Sequence, residues 1–154
     1  MNESVDKLLD KADQLAEDRN FEEAIEYYDQ ALTIDPTNHF ALASKGDTLF
    51  ELGKTKEALG CFDKSLEIEP NDTDVLALKA AVLVESGNVK ESISLYDKAI
   101  GINPNDSILF SAKANALYNL ERISEAKEFC EKSLKLDSSN EDAIELQKII
   151  NENS

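Results

Sequence analysis

Histidine is the side chain best placed to move protons near neutral pH, and this 154-residue sequence has one, His39. A general base needs a nucleophile within reach and a third group to orient it. No residues at a recognisable spacing supply either for His39, which reads as a lone surface histidine. The two cysteines, Cys61 and Cys130, stand singly, without the CxxC spacing of a redox or zinc site. Each lies beside an aromatic residue on a helical stretch, which suits a small buried hydrophobe better than a reactive thiol. Asp6, Asp10, Asp13, Glu17 and Asp18 invite a calcium reading. Their spacing is helical, however, and the glycine-centred twelve-residue loop is missing, so a solvated acidic face is expected. Lys11, Lys45, Lys79 and Lys113 recur every 34 residues. They form either a line of charge for an anionic ligand or, as we expect, stems packed on a neighbouring helix with their heads in solvent. No GxxxxGK, GxGxxG, HExxH or GxSxG motif occurs. The sequence therefore predicts no enzyme, no catalytic residue, no cofactor and no metal.

Charge narrows the partners. With 32 acidic against 16 basic residues the chain carries −16, a field that repels phosphates and anionic membrane surfaces alike. No nucleic acid and no membrane is expected. The balance fits a surface-rich protein kept soluble, or an acidic surface that meets a basic partner. The stretch Met1–Asp6 lacks the basic and apolar regions of a secretion signal. The longest apolar run, Val75 to Val84, is ten residues with Lys79 inside it, too short for a bilayer. A cytoplasmic protein is the expectation.

The elements that position these residues are legible from a period. Pro36, Pro70 and Pro104 are each 34 residues apart, and Ser138 stands where a fourth would fall. Counting each proline as position 32 starts the repeats at Val5, His39, Thr73 and Ser107, giving 5–38, 39–72, 73–106 and 107–140. Position 8 is then Ala12, Gly46, Ala80 and Ala114, and position 11 is Leu15, Leu49, Leu83 and Leu117. Small residues recur at positions 20 and 27 as well, where two helices must approach closely. Leu8, Leu42, Leu76 and Phe110, with Tyr28, Phe62 and Tyr96, fill the space between. Asn38, Asp72, Asp106 and Asn140 are placed to cap a helix. Gly53 and Gly87 suit a left-handed turn inside each pair. Arg19 and Glu121 take that place in repeats one and four, costing on the order of 1 kcal/mol if the turn is left-handed. Residues 141–151 fit one more helix that closes the array. Ala143, Ile144, Gln147 and Ile150 are expected to face the fourth repeat, Lys148 is expected to point out, and Asn153–Ser154 to fray.

This pattern resembles the tetratricopeptide repeat family over residues 5 to about 151. The lysine at position 7, where the family has leucine, is similar to a variant of archaeal members. The resemblance implies an all-α, right-handed α-solenoid within a single domain, 1–154, of nine helices and no strands. It also implies that positions 2, 5, 6, 9, 12 and 13 of the first helices line a concave groove. On that basis Asp13, Phe40, Asp47, Phe50, Leu78, Val84, Ile108, Asn115 and Tyr118 are the candidate peptide-binding residues. Apolar residues at positions otherwise wet mark an interaction site. Charge sums of −8 for residues 1–38, then −3, −2 and 0 for the next three repeats, place the acids at one end. Relatives that grip acidic chaperone tails use basic and amide side chains in the groove. Leu9, Asp13, Ser44, Asp74 and Leu78 occupy the matching places here, and the register one repeat later gives Ala43, Asp47, Leu78, Ile108 and Ala112, so neither rebuilds that clamp. The expected function is an adaptor holding a peptide or protein segment with apolar and basic residues. The alternative is a self-assembling scaffold, a homo-oligomer formed through the groove or the end helix.

Overall fold

A helix whose small residues recur at fixed places can lie close to its neighbour, and the chain uses this in every repeat. The structure, a computed structural model, describes residues 4–153; the expectations for Met1–Glu3 and for Ser154 lie outside them. Among the described residues there are nine helices and no strand. First helices are α1 (Val5–Glu17), α3 (His39–Glu51), α5 (Thr73–Glu85) and α7 (Ser107–Asn119). Second helices are α2 (Phe21–Ile34), α4 (Thr55–Ile68), α6 (Val89–Ile102) and α8 (Ile123–Leu136), and α9 (Glu141–Glu152) follows them. The first helices begin where the proline period placed them. The chain falls into two compact units, one ending at Val75 and one beginning at Leu76.

In the first unit α1 packs on α2, α3 on α4, and α2 on α3. Ala12, Ala24 and Tyr28 form a buried cluster, flanked by Leu9, Leu15 and Tyr27. Gly46 is required by contact: a Cβ there would lie 2.9 Å from Phe62 Cε1 and 3.1 Å from Cys61 Cβ. In the second unit Ala80, Tyr96 and Ala116 form one cluster. Ala114, Leu117, Ala126, Cys130, Ala143, Leu146 and Ile150 form another, which joins α7, α8 and α9.

Caps and turns follow residue chemistry. Asn38 Oδ1 accepts from Ala41 N at 3.0 Å, Asp106 Oδ1 from Ile108 N at 2.9 Å, and Asn140 Oδ1 from Ala143 N at 3.0 Å. Asp72 Oδ1 accepts from Asp74 N and Val75 N at 3.1 and 3.2 Å. Ser4, which was not singled out from the sequence, caps α1 through Lys7 N. Gly53 and Gly87 turn with φ of 74° and 86°, and Arg19 and Glu121 adopt the same left-handed region at 60° and 58°. Ser138 replaces the fourth proline without loss of the turn. Asp137 Oδ1 accepts there from Ser139 N at 2.9 Å and Ser139 Oγ at 2.7 Å, bonds that hold its carboxyl below the usual range.

Two sequence expectations for α9 change. Ile144 is 47% exposed, whereas Leu146 at 2% joins Ala143 and Ile150 in the core. Position 4 is buried as Leu8 in α1, which a second helix follows, whereas no further helix follows α9 among the described residues. Lys148 points outward, as expected of a helix with nothing further to pack against.

Candidate functional site

The residues with intrinsic chemistry are absorbed by packing. His39 is not a free surface histidine. Its side chain is largely covered, with Nδ1 3.4 Å from Asp72 Oδ2, because position 1 of α3 tucks under the loop that caps α5. Its ring lies 3.9 Å from that of Phe40, centroid to centroid. Cys130 is buried, and its Sγ donates to the Ala143 carbonyl at 2.8 Å. Cys61 is only half-buried, which corrects the expectation that both thiols are core residues. Burial pushes both thiols up, away from the reactive thiolate. Among the described residues no group of His, Cys, Asp or Glu is arranged to hold a metal ion.

Lys45, Lys79 and Lys113 are largely covered whereas Lys11 is exposed, and the heads of all four are engaged by protein groups. Lys45 Nζ meets Asp29 Oδ1 at 2.5 Å, and Lys113 Nζ bonds Asp97 Oδ1 while lying 3.8 Å from the Phe129 ring centroid. Lys11 bonds the Tyr27 hydroxyl, and Lys79 lies 3.9 Å from Glu91. In repeats two and four the lysine thus meets an acid at position 25 of the preceding second helix. An anionic ligand has no line of unengaged ammonium groups to bind.

What remains is the surface of the first helices. In the first unit, α3 presents Phe40, 66% exposed, and a half-buried Phe50. Asp47 stands between them in sequence. It keeps solvent-exposed surface, yet the surrounding atoms desolvate its carboxyl and push its pKa up, and the charge of Glu51 adds to the shift. Asp47, Glu17 and Glu51 line an open cleft of about 400 Å³ with Ala16, Arg19 and Phe21. Arg19 reaches within 4.0 Å of Glu51 and lies over the Phe21 ring. Asp13 is engaged differently from expectation. Its Oδ1 accepts the buried Tyr28 hydroxyl at 2.6 Å, and burial followed by this bond raises the phenol beyond its ordinary range.

In the second unit, α7 presents Ile108, 64% exposed, and a half-buried Tyr118 whose hydroxyl accepts from Asn153 Nδ2 at 3.4 Å. Asn115 is exposed, and its Nδ2 donates to the Ser111 carbonyl at 3.2 Å. Leu78 and Val84 on α5 are half-buried, and Val84 packs on the Ala80 cluster, which leaves it only part of its surface for a ligand. Glu51 and Asn119 occupy position 13 on α3 and α7, one of the positions expected to line the groove, and both are exposed.

A family model described as tetratricopeptide repeat matches residues 15–82, and a second of the same description matches 73–106 and 109–140. No curated protein matches the sequence. Among solved structures, MamA (41-end) from Desulfovibrio magneticus RS-1 is 20% identical with a TM-score of 0.87, over 99% of this chain and 86% of that one. Pseudomonas aeruginosa PilF is 21% identical with a TM-score of 0.89, over 97% and 68%. The first TPR of Spaghetti (RPAP3), bound to HSP90 peptide SRMEEVD, is 24% identical with a TM-score of 0.71, over 77% and 94%. At these identities the likeness concerns the fold. Among the described residues no helix is long and apolar enough to cross a membrane.

Proposed function

The chain belongs to the tetratricopeptide repeat family, and from that premise we propose that it binds a peptide segment or partner protein on the faces of its first helices. One observation carries the reading. Phe40 and Ile108 expose about two-thirds of their surface on helices whose other large apolar residues are buried or half-buried. A contiguous exposed apolar patch rimmed by polar residues is the usual mark of an interaction surface. Within the first unit Phe50 adds apolar surface, with Asp13 and Asp47 as the polar groups; within the second Leu78, Val84 and Tyr118 do so, with Asn115.

The RPAP3 structure holds an acidic peptide. Here the first-helix faces of repeats one and two offer Asp13, Asp47 and Glu51 instead, so the ligand is a segment of apolar and basic residues. The test is capture of native partners by the wild-type protein and by a Phe50→Ala, Tyr118→Ala variant, followed by titration. Each aromatic is expected to contribute about 1–3 kcal/mol to affinity at any salt concentration. A partner that binds both variants normally and docks on the second helices would end this reading. Concentration-dependent light scattering of the protein alone detects the self-assembling alternative.

A further inference from the structure

The binding reading makes no use of His39, whose imidazole is the side chain that ordinarily changes charge between about pH 5 and 8. Its backbone is pinned, since Ser65 Oγ at the end of α4 donates to the His39 carbonyl at 2.9 Å. Phe40 lies against its ring, with the two planes 36° apart. Nδ1 is buried and stands 3.4 Å from Asp72 Oδ2 without completing a hydrogen bond. Asp72 caps α5 with its other oxygen, which accepts from Asp74 N and Val75 N. One carboxylate therefore joins the first residue of α3 to the first turn of α5, and all of these groups belong to the first unit.

The same two positions, 1 and 34, meet in repeat four, where neither group titrates. Asn140 Nδ2 donates to Ser107 Oγ at 3.3 Å, and Ser133 Oγ holds the Ser107 carbonyl at 2.8 Å. The serine that pins position 1 belongs to alternate repeats, since position 27 reads Ala31, Ser65, Ala99, Ser133. Of the two repeats that carry it, repeat two builds the contact from an imidazole and a carboxylate.

The proton on Nδ1 decides what this contact does. A bare Nδ1 sets its lone pair against the carboxylate, acceptor to acceptor. A proton there makes the pair donor and acceptor, and a further proton on Nε2 adds a positive charge that strengthens the bond. Asp72 is the charge that faces the ring. Asp35, in the turn before α3, is occupied by Thr37 and Asn38, α4 contributes the neutral Ser65, and Glu69 in the turn that leads to Asp72 is exposed. The positive end of α3 disfavours a cationic ring at its first residue, so the carboxylate is what allows the charge to sit there.

We propose that His39 and Asp72 form a proton-operated clasp. When the imidazole gains its proton from solvent, to which 22% of the side chain is open, Nδ1–H closes on Asp72 Oδ2. The closed contact tightens the first turn of α5 and fixes the ring on which Phe40 lies. As pH rises and the proton leaves, the clasp relaxes. Through the exposed Phe40 it acts on the face assigned above to a partner, and that consequence alone rests on the binding reading.

The test uses the full chain, labelled with nitrogen-15 and carbon-13, between about pH 8 and 6, and needs no ligand. As the His39 ring gains its proton, the Asp74 and Val75 amides and the Phe40 ring should shift with the same midpoint. Protection of those two amides from hydrogen exchange should rise by about two- to fivefold, the range of a partly exposed ion pair. Asp72→Asn keeps an oxygen to cap α5 and removes the charge, so its Asp74 and Val75 amides should show no such rise. His39→Gln leaves Asp72 unchanged and should abolish the rise as well. Protection that stays flat across the His39 titration, or that rises equally in either variant, overturns the clasp and leaves the binding reading standing. Partner capture through Phe50 and Tyr118 is measured separately, so failure there leaves the clasp standing.

Discussion

At position 46 a single hydrogen decides whether two helices fit. The Phe62 ring is fully buried and fills the place a methyl group would need, so Gly46→Ala must push it aside. Overpacking of this kind costs about 1–3 kcal/mol, against a gain of about 1 kcal/mol from helix propensity. Net destabilisation is expected in urea unfolding, with partial recovery when Phe62→Leu is added to Gly46→Ala. The left-handed turns behave differently, because nothing lies within 4 Å of a Cβ at Gly87 and the cost is purely one of backbone. Glu121→Gly should stabilise, and Gly87→Ala destabilise, each by about 1 kcal/mol. Asp47 adds a pH-dependent term. Its folded pKa lies above the unfolded value, so folding favours the protonated form. Ionised Asp47 therefore opposes folding at neutral pH, and that penalty fades as pH falls through its raised folded value. Asp47→Asn should raise the melting temperature at pH 7 and have no such effect below the carboxylate range. Turn glycines and small residues were legible in the sequence because their constraint is local. The coverage of His39 was not, because the Asp72 carboxylate beside it comes from the far end of the repeat.

For elements, periodicity located the helices and neighbours decided their faces. First helices bury positions 3 and 10 as Ala41 and Thr48, Val75 and Val82, Leu109 and Ala116, and α9 does so with Ala143 and Ile150. In α1 the same positions are Lys7 and Gln14, both exposed. A period alone cannot distinguish these cases, since it records where a helix repeats and not whether another helix lies against it. The same reasoning explains Ile144, read as covered from its place in the period and left open because no second helix lies over it. Deletion of 141–154 should uncover the α7 and α8 atoms now buried by Leu146 and Ile150, a loss of roughly 3–6 kcal/mol before offsets. The shortened protein should melt at lower temperature and aggregate, and an unchanged melting temperature would show that α9 is not a cap. Two point variants separate this from a general C-terminal effect. Leu146→Ala should cost about 2–4 kcal/mol, whereas Ile144→Ser should stay within about 0.5 kcal/mol.

Taken over the whole molecule, −16 on 154 residues is a self-repelling charge, with −8 of it on residues 1–38. Salt should therefore stabilise the protein. Between about 0.01 and 0.3 M sodium chloride the screening length falls from roughly 30 Å to below 8 Å, and the melting temperature should rise over that range. A flat or falling curve would mean that paired charges such as Arg122 with Glu125 outweigh the repulsion. The fold class was fully legible at this scale. The candidate surface was legible only as a set of positions, because whether an apolar residue is exposed, as Phe40 is, or half-covered, as Val84 is, depends on packing that no spacing encodes. The serine tethers at Ser65 and Ser133 bear on ancestry. A chain grown by copying single repeats would vary independently at each, whereas one in which a pair was copied once inherits odd and even members as fixed types. The boundary between compact units at Val75 and Leu76 falls within three residues of the seam that such a copying would leave, between Asp72 and Thr73. In an array copied that way, removing either inner repeat would set two members of the same type side by side, whereas removing a pair would keep the alternation.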